Sequence, residues 1–121
     1  MIVYDLTNQL REELEYLKNR YFSHEKPENK RDRDFFTFVK EQTTPKYKVI
    51  KQWEKEALEH VKQRSIQVHP QQIVSTSENL ELLLMHSYYI DARKKRYMEL
   101  YKSVHYVFDL ILTNDHGNTK E

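Results

Sequence analysis

A single glycine, Gly117, stands in this 121-residue sequence, and it falls near the C-terminal end. Phosphate cradles, dinucleotide-binding turns and nucleophile elbows need glycine where backbone turns sharply or approaches a ligand closely. The residues before Gly117 therefore cannot build any of them in standard form. Proline is scarce as well, with three residues, while Leu, Glu, Lys and Tyr are abundant. That is the composition of long helices joined by short polar turns.

The length fits one domain with one core. A hydrophobic content of 38% suits helices that each bury a single stripe. The longest apolar run, Leu82-Leu83-Leu84-Met85, is far below the roughly 20 residues of a membrane span. Met1-Ile2-Val3-Tyr4-Asp5 has neither a basic segment nor a long apolar stretch, so no secretory signal is expected. The chain has no cysteine, which excludes disulfides, thiol nucleophiles and Cys-ligated metal sites. A cytoplasmic location is the expectation. With 20 basic and 19 acidic residues the net charge is +1, which argues against a dedicated nucleic-acid or anionic-membrane binder.

Hydrophobic spacing predicts four helical segments. Val3, Leu6, Leu10, Leu14, Leu17 and Tyr21 step by three or four residues and share one face. This first helix is expected to end near Phe22, before a polar connection over 23–33. Asp34 is the expected cap of a second helix carrying Phe35, Phe36, Phe38 and Val39. Thr43-Thr44-Pro45 is expected to break it, with Thr44 capping a new start at Pro45. Ile50, Trp53, Ala57, Val61 and Arg64 continue the pattern to about Ser65, followed by extended Ile66–His69 before Pro70. The third helix starts at Pro70 or at Ser75, which has Glu78 at capping-box spacing. Its inner face is marked by Leu80, Leu83, Leu84 and Ile90, widened by Leu82 and Met85. A turn near Ile90–Lys94 leads to the fourth stripe, Tyr97, Tyr101, Val104, Phe108 and Ile111. Four segments of roughly twenty residues close a bundle. The fold class is thus all-α, an antiparallel up-and-down four-helix bundle over residues 1–114, with a frayed tail over 115–121.

Catalytic constellations are missing. None of the six histidines follows a glutamate by three residues, as di-iron bundles require. Glu56 and His60 are one turn apart and are the best metal-ligand pair available, though an exposed helical pair explains them equally well. His86 and His105 lie beside buried stripes and read as core-edge histidines with one hydrogen bond each. Carboxylates such as Glu12, Glu13, Glu54, Glu56 and Glu59 read as helix surface, and Ser75-Thr76-Ser77 as caps rather than nucleophiles. No cofactor is implied.

Arg93-Lys94-Lys95-Arg96, flanked by Tyr88, Tyr89 and Tyr97, is the densest charge run. Cations beside aromatics serve phosphate and base contacts; they also neutralise the carboxyl end of a preceding helix. Tyr4, Tyr16, Tyr89 and Tyr106 do not all fit one inner face, which favours association with a protein partner or a second copy.

The series Asp34-Phe35-Phe36, Trp53 with Ala57-Leu58, the Leu-rich segment ending Ser87-Tyr88, and Lys94-Lys95-Arg96 before an aromatic residue resembles the YppE-like family of small proteins from Gram-positive bacilli. The resemblance covers residues 34–112. It implies a cytoplasmic antiparallel four-helix bundle and carries over no activity, cofactor or catalytic residue. Three functions follow in order: a non-catalytic intracellular interaction module, a weak phosphate or nucleic-acid binder through Arg93–Arg96 and Tyr97, and a metal-dependent enzyme using Glu56 and His60.

Overall fold

A computed structural model describes residues 1–29 and 31–117, with side chains as far as Thr113. Helix α1 spans Ile2–Ser23. All six stripe residues from Val3 to Tyr21 are buried, and a fully buried side chain of this kind contributes about 1.5–3 kcal/mol. The chain leaves α1 at His24, whose extended backbone cannot continue the helix.

Helix α2 spans Arg33–Lys62. Its cap is Asp32, two residues earlier than expected; the carboxylate accepts from the N–H of Asp34 at 2.9 Å and of Phe35 at 3.2 Å. The expected break at Pro45 does not occur. Proline lacks an N–H, so the bond to the Glu41 carbonyl is lost, and its ring crowds that carbonyl. Val39 and Thr43 before it, and Ile50, Trp53 and Ala57 after it, are buried in the same core. Burial on both sides of an exposed proline holds one continuous helix. Thr44 caps nothing; its hydroxyl donates to the Lys40 carbonyl at 2.7 Å.

The end of α2 is a Schellman turn without glycine. Ser65 N–H donates to the His60 carbonyl at 2.9 Å and Arg64 N–H to that of Val61 at 3.0 Å. Arg64 takes the left-handed position, with φ 62°. Ile66 and Val68 in the following connection are buried and join the core.

Helix α3 spans Pro70–Tyr89 and starts at the proline rather than at Ser75. His69 is the cap: its ring nitrogen accepts from Gln71 N–H, while the Gln72 side chain accepts from the His69 backbone. Leu80, Leu83 and Leu84 face the core, but Leu82 is exposed, so the inner face is narrower than its leucine run suggests. Ile90, with φ 51° and ψ 48°, ends the helix in the left-handed conformation. The turn therefore falls where the sequence places it, and helix α4 spans Lys94–Gly117. Part of the expected frayed tail, residues 118–121, lies outside the described residues.

Consecutive helices run antiparallel. Glu13 of α1 pairs with Lys46 of α2, Glu54 of α2 accepts from Ser77 of α3, Ser87 of α3 meets Tyr97 of α4, and Arg11 of α1 pairs with Asp109 of α4. The backbones of α1 and α3 approach across one diagonal, while those of α2 and α4 stay apart. Trp53 and Phe108 fill that wider diagonal, edge to face at 5.5 Å. Among the described residues there is no strand, and no helix is long and apolar enough to cross a membrane.

Candidate interaction surface

Up-and-down topology brings the end of α1, the start of α2, the end of α3 and the start of α4 to one end of the bundle. Arg93 precedes α4, and Lys94, Lys95 and Arg96 form its first turn. All four are exposed. Sequence reasoning assigned them to the carboxyl end of α3, where the helix dipole would favour them. They stand instead at the amino end of α4, where the dipole opposes each cation by a few tenths of a kcal/mol. No acidic residue shares that turn. Arg96 reaches Glu99 at 3.8 Å; among the described residues, Arg93, Lys94 and Lys95 have no ion-pair partner.

Tyr97, expected in the same patch, lies beneath it. Its ring is fully buried and stacks on Tyr21 at 3.9 Å, while its hydroxyl shares a hydrogen bond with Ser87. Burial pushes that hydroxyl up to about 12, against the lowering effect of Ser87. The Tyr21 hydroxyl donates to the Ala92 carbonyl and so pins the turn that carries the cations. Burial, with Asp91 adding to it, raises the Tyr21 hydroxyl as well.

The aromatic that does reach solvent here is Phe22, expected from the sequence only to mark the end of the first helix. It meets Tyr21 at 5.1 Å and Tyr97 at 6.3 Å, edge-on to both, and is 47% exposed. Its signal was available: Phe22 is one residue past the inner stripe, and so faces away from the core.

A second aromatic group sits at the same end. Phe35 meets Tyr89 at 5.5 Å and Phe38 meets Tyr88 at 6.0 Å. The Arg20 guanidinium lies 4.3 Å from the Tyr88 ring and 5.6 Å from that of Phe38. Burial pushes the Tyr88 hydroxyl up to about 12, with Tyr16 adding to the shift and Arg20 opposing it. Phe38 is exposed, and Phe36 reaches 56%. Of Tyr4, Tyr16, Tyr89 and Tyr106, which do not all fit one inner face, Tyr16 and Tyr106 are exposed and Tyr4 and Tyr89 half-buried.

A family model described as a bacterial domain of unknown function (DUF1798) matches residues 7–114. The chain belongs to the DUF1798 family. The crystal structure of protein YppE from Bacillus subtilis matches with a TM-score of 0.82 at 24% identity, covering 99% of this chain and 97% of that one. The solution NMR structure of the same protein matches with a TM-score of 0.67 at 26% identity, covering 95% and 96%. Both likenesses show a shared four-helix fold and fit the resemblance carried by the sequence. Comparison with curated proteins gave no match.

Elsewhere on this DUF1798 chain the candidate chemical groups are engaged in local contacts. His60 Nδ1 bonds the Ser65 hydroxyl at 2.9 Å rather than meeting Glu56 over a metal position. Among the described residues, no three His, Asp or Glu side chains converge as a metal site. His86 bonds Asp91 at 2.7 Å and His105 bonds Glu15 at 3.1 Å. Ser77 donates to Glu54 at 2.7 Å, and the Ser75 hydroxyl accepts from Gln71 at 3.3 Å. A groove of about 340 Å³ runs between α1 and α2 beside Pro45, floored by Leu10 and Val49. A second, of about 510 Å³, lies between α3 and α4 beside Tyr106.

Proposed function

We propose that this DUF1798 chain is a non-catalytic intracellular interaction module, which holds a protein partner or a second copy at the aromatic end of its bundle. The observation that carries this reading is the exposure of Phe22, Phe36 and Phe38 at one end of an otherwise well-packed core. Half-exposed phenylalanines backed by a rigid interior are suited to act as anchors, because little conformational freedom is lost when they are covered. The tyrosine-rich composition supports the same class of function.

A photo-crosslinking residue placed at position 36, in cells that make the protein, tests the proposal. A discrete adduct is expected at position 36 and none at solvent-facing Lys55. A protein that stays monomeric in solution and gives no adduct at the aromatic end would sink it.

A second reading, weak binding of phosphate or nucleic acid, draws on Arg93, Lys94 and Lys95 having no ion-pair partner among the described residues. It requires affinity that falls steeply with salt and is lost when Lys94 and Lys95 become alanine.

A further inference from the structure

We infer that Phe22 together with Arg93, Lys94 and Lys95 docks an acidic segment of a partner protein, one that carries an apolar side chain to cover the Phe22 ring. The inference rests on the interaction-module reading and adds the partner's chemistry. Three observations carry it.

The first is placement. Phe22 packs edge-on against Tyr97, the residue that directly follows Arg96. The exposed ring therefore packs against the start of α4, the turn that carries the cations, which sets an apolar anchor and positive charge at the same end of the bundle. The second is rigidity. Tyr21 holds both halves: its ring stacks on Tyr97 and its hydroxyl holds the Ala92 carbonyl in the turn before the cations. A surface fixed before binding loses little entropy on docking. The third is charge. Three cations with no ion-pair partner among the described residues stand where the α4 dipole is also positive, so carboxylates would relieve their mutual repulsion.

Charge also separates a peptide from a nucleic acid. Asp91 is bonded to His86 and Glu99 faces Arg96, so the cationic patch is confined to Arg93, Lys94 and Lys95, too short for an extended phosphate backbone. A short acidic stretch of polypeptide matches a patch of that size. The net charge of +1 gives no long-range pull on a polyanion.

The test is a selection of random peptides displayed on phage against the full chain, followed by titration of the enriched peptides. Acidic sequences with one large apolar residue are expected to enrich, and their affinity to weaken with salt. Affinity is expected to fall at least tenfold in Phe22→Ser and in Lys94→Glu/Lys95→Glu. The charge-reversed variant removes the helix-dipole conflict, so its thermal melt serves to show that it is folded. No enrichment, enrichment without acidic bias, or acidic peptides that bind the reversed variant equally well would each overturn the inference. So would tighter binding of a thymidine 20-mer than of any acidic peptide, which would mark a nucleic-acid surface. Concentration-dependent dimerisation abolished by the same reversal would make a second copy the occupant and overturn it too. An adduct at position 36 that persists in the reversed variant would leave the module reading standing while this inference falls.

Discussion

The indole N–H of Trp53 donates to the hydroxyl of Thr7 at 2.9 Å, and that hydroxyl donates in turn to the Val3 carbonyl at 2.6 Å. Both residues are fully buried. One oxygen thus satisfies the sole tryptophan and closes a link between α1 and α2 at the centre of the core. A threonine on an apolar stripe would ordinarily be a defect; here it is the partner that makes a buried indole tolerable.

Thr7→Val keeps the shape and removes the acceptor. The stranded indole N–H is expected to lower stability by about 1–3 kcal/mol, measured by urea denaturation. Thr7→Ser retains the oxygen and is expected to lose much less.

Arg64 occupies a left-handed position that glycine adopts without strain. Arg64 is exposed, so Arg64→Gly is expected to raise stability by about 1 kcal/mol. Ile90 shares the conformation but packs against the core. Ile90→Gly is therefore expected to gain less, or to lose, in the same denaturation experiment.

Pro45→Ala restores one backbone donor in an unbroken helix. Stability is expected to rise, by up to about 3 kcal/mol on the helix-interior scale. A lower melting temperature would mean that the proline shapes the α1–α2 packing, contrary to the account above.

Lys94→Glu/Lys95→Glu replaces two cations at the start of α4 with carboxylates. Each exchange is expected to add about 0.3–1 kcal/mol in thermal melts at low salt. A stabilised variant that no longer binds would show that the charges are retained for contact rather than for folding.

Glu15 is held below its ordinary value of 4.5, first by the Tyr101 hydrogen bond and further by His105 and Lys18, against the opposing effect of burial. A carboxyl depressed in the folded state adds stability above its unfolded value and loses it as pH falls through the folded one. Its side chain is 48% exposed, so the contribution stays below about 1 kcal/mol. Glu15→Gln is expected to flatten the acid limb of the stability profile below about pH 5. Tyr101→Phe is expected to do so partly. An unchanged limb in both would refute the assignment.

The periodic stripes carried most of the fold because burial repeats with the helix. Val3 to Tyr21 in α1 followed from spacing alone, whereas the turn near Ile90 followed from the need for four similar segments to close a bundle. Local rules failed where tertiary packing outweighed them. Pro45 reads as a break by its chemistry, yet Val39, Thr43, Ile50 and Trp53 secure the helix on both sides of it. Leu82 reads as core by composition and faces water by angle. The candidate surface was half legible: Arg93–Arg96 stood out as a run, but Tyr97 belonged to the interior and Phe22 to the exterior. Deciding between neighbouring aromatics needs the position of a distant helix, here the stacking of Tyr21 on Tyr97, which spacing within one segment does not encode.

With its only tryptophan sealed against Phe108 and bonded to Thr7, the protein contains its own optical reporter. Emission from Trp53 arises from a dry, fixed setting at the meeting point of α1, α2 and α4, so a red shift signals water reaching the centre of the molecule. A binding event at the aromatic end, well removed from that ring, would leave the spectrum in place. Fluorescence can therefore tell loss of the fold from occupation of the surface in a single unlabelled sample.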